Sequence, residues 1–434
     1  MGVIDGGGRA TGASILSDEL VQQLVDAGQV DLLVGLPSFN HAATIGHVAR
    51  EVHLGFARDF PRERTLLLNV DAGSNDGTVD AVRSASPTEA DSIVASHALR
   101  TIHRISVPYH GMLGKPAALR TLLTAADLLQ ARAVVLADPG VCSFDARWVR
   151  ELAEPVLRAG TDFVAPLYQR HPLDGPLITQ LVRPLVRALY GWRLQEPLAP
   201  ELAFSSRFVR RLLDRPVWSE DEALDGIDLR LALEALADED VVRAEVPLGA
   251  HVLDPRRPRP PVAGAVEQIV STMLAGLDRH AAVCRGREGS QPIRCFGDSP
   301  PPRETPASLP LAAMRESFER GVRELDPILA EALPADLLDA LRAAAGTPGP
   351  PSVDDALWAR IVYALIDTDR RRAMPRGHVA KAIVPLYLGR AAGFLEREGG
   401  GTPGAIEAAL ESLAMEFERQ KPVAAAHWPD EGRR

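Results

Sequence analysis

Three short polar clusters in the N-terminal third of the chain each follow an apolar run, and their residue types suit a polar ligand. Pro37-Ser38-Phe39-Asn40 follows residues 31–36 (DLLVGL), the string 71–78 (DAGSNDGT) follows 65–70 (TLLLNV), and Asp138-Pro139-Gly140 follows 133–137 (AVVLA). A carboxylate at Asp71 can accept hydrogen bonds from a base or a ribose. The turn behind it, which contains Ser74, exposes backbone N–H groups and caps the helix that follows. Asp, Asn and Gly also make ordinary turns, so this string alone is a weak signal.

A fourth residue stands out against the composition. Of the 48 Lys and Arg residues only Lys115, Lys381 and Lys421 are lysines. Lys115 precedes Pro116 at the start of an amphipathic stretch running to Leu129, where Pro in the first helical turn is favoured. A chance surface lysine is the plain alternative. Its place just before a helix N-terminus marks it for comparison with the motifs below.

These clusters need a scaffold that brings strand ends together. Residues 31–36, 65–70 and 133–137 read as buried strands, with weaker candidates at 93–98 and 101–107. Helical spacing at 43–56, 79–84 and 116–129 falls between them. Strands alternating with helices predict a mostly parallel sheet covered on both faces, with ligands at the carboxyl ends of the strands. All three clusters sit at such ends.

Beyond residue 310 the pattern is helical over 311–346, 353–372, 377–397 and 403–420, and 286–309 is Pro-rich and polar. No internal repeat is visible. The expected organisation is a Gly-rich start (1–17), an α/β domain (18–285), a linker (286–309) and an α-helical domain (310–425).

The motifs resemble those of glycosyltransferases with the GT-A nucleotide-sugar fold. The string 71–78 is similar to D-D-G-S-x-D-G-T, with Ala72 in place of the second carboxylate, and 37–40 is similar to that fold's entry loop for the base. The stretch from Gly114 (GKPAALRTLL) resembles its G-K-x-x-A-L element. Downstream, 162–171 (DFVAPLYQRH), 178–191, Gly226-Ile227-Asp228 and 385–390 (PLYLGR) resemble the glucosylglycerate synthases, relatives of the mannosylglycerate and glucosyl-3-phosphoglycerate synthases.

The resemblance implies a retaining transfer of a hexose from a nucleoside-diphosphate sugar to a small hydroxy acid such as glycerate. It implies that Pro37, Ser38, Asn40, Asp71, Ser74, Lys115 and Asp138 bind the nucleotide. Asp228 and Glu201 would be the catalytic carboxylates, Arg170 a candidate grip on the acceptor, and Mg²⁺ or Mn²⁺ the cofactor, with Asp138 and His251 as ligands.

Three departures fall on the metal and catalytic half. The family's D-x-D reads Asp138-Pro139-Gly140 here. Its L-G-x-K-x-H-D reads 248–254 (LGAHVLD), so that His251 replaces the lysine and Leu253 the histidine. Its Q-P-I-G-G-D-F reads 196–202 (EPLAPEL). On a strand, positions 251 and 253 would share a face, leaving His251 within reach of a metal. A degenerate relative that binds a nucleotide sugar without transferring it is the rival reading.

Other classes are excluded by composition. The 434 residues are 46% apolar and 24% charged, with a net charge of −10 and no basic block, which argues against nucleic acid. No uninterrupted apolar run of about 18 residues exists, which argues against a membrane span. Cys142, Cys284 and Cys295 show no metal or disulfide spacing, as expected of a cytoplasmic protein. The scattered histidines and most tryptophans read as structural. The Arg183/Arg187/Trp192/Arg193 helix could touch anionic lipid headgroups, but an amphipathic core helix with a solvated Arg face explains it more simply. The oligomeric state is left open, with a homodimer through the helical domain one candidate.

Overall fold

The computed structural model describes residues 16–85, 92–96, 114–215, 218, 226–256, 261–298, 301–304, 306–426 and 428. The strand candidate at 101–107 lies outside them. In chain order the strands are β1 (Leu32–Ser38), β2 (Thr65–Asp71), β3 (Ser92–Ser96), β4 (Ala133–Leu136), β5 (Phe163–Tyr168), β6 (Leu202–Ser205), β7 (Arg243–Gly249) and β8 (Arg294–Cys295). The chain divides into two compact units: residues up to 102, 112–162 and 203–219 form the first, and 103–111, 163–202 and 220 onward the second.

In the first unit the strands run in the order β3-β2-β1-β4, all parallel, with Leu32 opposite both Thr65 and Ala133. Every residue of β1 is buried, as expected of a central parallel strand with both faces covered. The order gives a topological switch point. The chain winds outward from β1 to β3 and then returns to place β4 on the other side of β1, and a ligand crevice belongs at the carboxyl ends there.

The described helices of this unit are Asp18–Ala27, Ile45–Asp59, Thr78–Ala85, Lys115–Leu128, Arg147–Ala159 and Ser206–Leu213. Two glycines set how closely they pack. A Cβ on Gly35 would lie 2.9 Å from Leu122 Cδ2, so the helix Lys115–Leu128 lies directly on β1. A Cβ on Gly55 would lie 2.7 Å from the Ala146 carbonyl oxygen, which brings Ile45–Asp59 against the start of Arg147–Ala159.

In the second unit β5, β7 and β8 are parallel neighbours, with a register shift between Leu167 and Tyr168. The stretch 286–309 contributes β8, and its backbone is fastened by Arg303 N to Arg170 O (3.2 Å) and by Ala307 N to an Asp174 carboxylate oxygen (2.7 Å). The rest of this unit is helical, giving the expected α/β fold with an α-helical C-terminal region. The single helix read over 311–346 is three helices, Leu311–Glu324, Asp326–Ala332 and Ala335–Gly346. Pro327 and Pro334, which cannot donate to the preceding turn, account for the breaks. Helices Asp355–Arg370, Arg376–Glu398 and Pro403–Ala425 complete it.

The motif 385–390 is a packing device. A Cβ on Gly321 would overlap the Pro385 ring, and one on Gly389 would overlap the Phe318 ring. Arg390, fully buried, donates from Nε to Gln180 Oε1 (2.9 Å), from Nη1 to the Val353 carbonyl (2.8 Å) and from Nη2 to Asp355 Oδ1 (2.6 Å). Gln180 lies in a short π-helical segment, Ile178–Val182, and its carbonyl accepts from Trp358 Nε1 at 2.7 Å. Arg187 is also buried rather than solvated, held by Glu411 and Glu418 at 2.6 Å each. Among the described residues no helix is long and apolar enough to cross a membrane.

Candidate active site

The polar clusters of the first unit come together as the topology requires. Ser38 ends β1 and Asp71 ends β2, opposite one another in register. Asp71 is 1% exposed. Its Oδ1 accepts from Ser38 Oγ (2.8 Å) and Ser74 Oγ (2.6 Å), and its Oδ2 accepts from the backbone N–H groups of Gly73 (3.0 Å) and Ser74 (2.7 Å). Both oxygens are thus engaged within the chain. Asp71 acts as the anchor of the loop, and the surfaces it leaves for a ligand are the backbone and side chains it holds.

Asn40 sits on that loop with φ 55°, in the left-handed region that Asn tolerates better than most residues. Its N–H donates to Ser74 Oγ (2.7 Å), and its Oδ1 accepts from Asn75 N (3.2 Å). The two loops are further joined by His41 N to Thr78 Oγ1 (2.8 Å) and Ala42 N to Asp76 Oδ2 (3.0 Å). Ser38, Asn40, Asp71 and Ser74, named from the sequence, form one network. Pro37 lies past the last β1–β4 pair, Gly35 opposite Leu136. A residue without an N–H is tolerated where the ladder has ended.

Asp138, half-buried, follows β4, and its Oδ1 accepts from Gly140 N at 2.7 Å. The adjacent Pro139 carbonyl accepts from Thr44 Oγ1 at 2.6 Å, which ties the β4 end to the helix after β1. Lys115 is the first residue of its helix, behind Gly114 at φ 81°.

In the second unit a buried cluster forms around the end of β5. The Tyr168 hydroxyl donates to Glu201 Oε2. Glu201, with no exposed surface, presents Oε1 to His251 Nε2 at 3.5 Å, and the His251 ring lies 4.4 Å from that of Tyr168. Burial, and then the Glu201 charge, hold the Tyr168 phenol well above its usual pKa, so it stays a donor. Glu201 and His251 are therefore partners.

His251 is not on a strand. β7 ends at Gly249, at φ 83°, so the alternation that would aim residues 251 and 253 at one face does not apply; Leu253 is 41% exposed. Arg170 is engaged by Glu196 at 2.8 Å and stacks over Tyr168. Asp228, half-buried, lies in the first turn of the helix Ile227–Ala237.

Tyr168 and Glu196 are the residues that sequence reasoning left out of the site. The signal was present in 162–171 and 196–202, both of which were singled out as strings. Thr44 and Asn69 were also missed; Asn69 Nδ2 donates to Leu36 O (2.9 Å) and Ser38 Oγ (2.8 Å). Among the described residues no group of three or more His, Cys, Asp or Glu side chains is placed to hold a metal ion. Asp138 and His251, expected from the sequence as Mg²⁺ or Mn²⁺ ligands, belong to the first and the second unit respectively.

No family model matches the chain, and no curated protein matches it. Solved structures do. The chain is similar to glucosyl-3-phosphoglycerate synthase from Mycobacterium tuberculosis in complex with phosphoglyceric acid, at 22% identity over 61% of this chain and 85% of that one, with a TM-score of 0.43. The same synthase in complex with Mg²⁺ and uridine diphosphate matches at 24% identity over 60% and 83%, with a TM-score of 0.42. A mycobacterial protein matches at 26% identity over 59% and 78%, with a TM-score of 0.43.

Proposed function

We propose that the chain is a glycosyltransferase that takes a hexose from a nucleoside-diphosphate sugar and passes it, with retention, to a small hydroxy acid such as glycerate. The observation that carries this reading is the Ser38–Asp71–Ser74–Asn40 network at the carboxyl ends of β1 and β2, beside the switch point between β1 and β4. Such a loop pair, rigid before the ligand arrives, offers backbone groups to a base and ribose at low ordering cost. Lys115 at a helix start supplies a cation for a diphosphate.

In this reading Asp71 positions the loop, and Pro37, Ser38, Asn40, Ser74, Lys115 and Asp138 meet the nucleotide. Glu201 and Asp228 serve the transfer, with Tyr168 orienting Glu201. A second reading, a non-catalytic binder of nucleotide sugars, is favoured by the departures at Gly140 and Leu253 from the family's metal motifs.

Calorimetric titration of UDP-glucose and GDP-glucose, each with and without Mn²⁺, followed by an assay with glycerate, separates the two. Donor binding with glycerate-dependent release of the diphosphate supports the transferase. Binding without release supports the second reading, and no binding of either donor overturns both.

A further inference from the structure

The second unit carries a cavity of about 520 Å³ at the amino end of β7, lined by Trp192, Glu239, Arg243, Arg287, Gln291 and Arg294 among others. Arg243 opens β7, while Tyr168 pairs with Gly249 at the strand's other end, so the cavity and the Tyr168–Glu201–His251 cluster are about 20 Å apart along the strand.

Its donors are in excess of its acceptors. Trp192 Nε1 and Arg287 Nε are both buried and donate to no acceptor among the described residues. Arg294 is exposed, stacks on Phe296 with 4.2 Å from its guanidinium carbon to the ring centre, and forms no ion pair among the described residues. Arg287 reaches one carboxylate, Glu239, at 3.2 Å, and that side chain is 77% exposed, so it can leave at little cost. Arg243 is spent on structure: its guanidinium donates to the carbonyls of Ala235, Val241, Leu236 and Asp238 and stacks 4.3 Å over Trp192. That stacking fixes the indole as one wall.

We infer that this cavity binds a small molecule through a phosphate or carboxylate group, which Arg287 and Arg294 hold against the Trp192 wall while Glu239 competes with it for Arg287. The planar guanidinium fork suits either oxyanion. The inference does not depend on the donor site.

The test is calorimetric titration of the full chain with inorganic phosphate and, separately, with malonate, repeated on Arg287→Gln, Arg294→Gln and Glu239→Gln. Saturable binding of at least one probe is expected, weakened fivefold or more by each Arg substitution. Glu239→Gln, which removes the competing carboxylate, is expected to tighten it severalfold. UDP-glucose affinity measured on the same variants should stay unchanged. Whichever probe binds identifies the oxyanion. The inference is overturned if neither probe saturates, or if binding is indifferent to all three substitutions. The gain expected from Glu239→Gln cannot be produced by a misfolded variant.

Discussion

The Ser38 hydroxyl donates to Asp71 Oδ1 at 2.8 Å across 33 residues of sequence, and this buried bond locks the carboxyl end of β1 to that of β2. Parallel strands have no hairpin to fix their ends, so side chains must do it. Asp71→Asn offers an amide N–H₂ where one oxygen accepted backbone N–H bonds, leaving buried donors unpaired. We expect a loss of about 1–3 kcal/mol in unfolding free energy and at least a tenfold weaker donor affinity. Thermal unfolding and calorimetry on the same preparation read both. A stable variant with unchanged affinity would remove the network from the site.

Glu201→Gln keeps an oxygen for the Tyr168 hydroxyl and removes the charge that faces His251. If Glu201 serves the chemistry, glycosyl transfer should fall by about 10² or more, while donor affinity stays within a factor of about 3. Equal losses in both would make it a scaffold residue.

Glu245 gives a pH dependence whose sign follows from its surroundings. Its side chain is buried on β7, accepts from Gln195 N at 2.7 Å, and faces the Arg183 guanidinium and the Glu196 carboxylate. Burial pushes its pKa up from 4.5 to about 8, against the pull of the Gln195 N–H and Arg183. Between those values the folded chain holds a proton that the unfolded chain has released, so stability falls as pH rises from about 4.5 to about 8. Glu245→Gln removes this titration while keeping an acceptor. Its unfolding free energy should match the parent's near pH 4.5 and exceed it above pH 8, by a difference on the order of a few kcal/mol. Parallel profiles of parent and variant would contradict the assignment.

Much of the first unit was legible because its signals are local. The apolar runs before Pro37, Asp71 and Asp138, the turn residues after them and Pro116 each act within a few positions, so β1, β2, β4 and the helix at Lys115 fall close to where the sequence puts them. What was not legible depends on residues distant in sequence. Tyr168 and His251 meet because β5 and β7 pair, and no periodicity marks either strand as a neighbour of the other. The strand expected through His251 fails at Gly249, where the chain turns at positive φ. Arg170, read as a grip for an acceptor, is engaged by Glu196 26 residues away. The helical motif 385–390 was visible as a string, but its work, closing Pro385 on Gly321 and Gly389 on Phe318, is visible only in packing.

Gly35 links the scaffold to the candidate site without touching a ligand. It lies in mid-β1, three residues before Ser38, and faces Leu122 on the helix that Lys115 begins. A Cβ there would meet Leu122 Cδ2 at 2.9 Å, Cδ1 at 3.0 Å and Cγ at 3.3 Å, and Leu122 has no exposed surface into which to swing. Gly35→Ala should therefore push the helix off β1 and destabilise the chain by about 1–3 kcal/mol. The displacement moves Lys115 relative to the Asp71 loop, so donor affinity should fall as well. Leu122→Ala alone opens a cavity and costs about 2–5 kcal/mol. Because each substitution relieves the other's fault, the double variant should be less destabilised than the sum of the two, with a coupling of about 1 kcal/mol or more. Denaturant titration of the four proteins measures that coupling. Strict additivity would show that the helix does not bear on β1 at Gly35, and that Lys115 is positioned by something other than this contact.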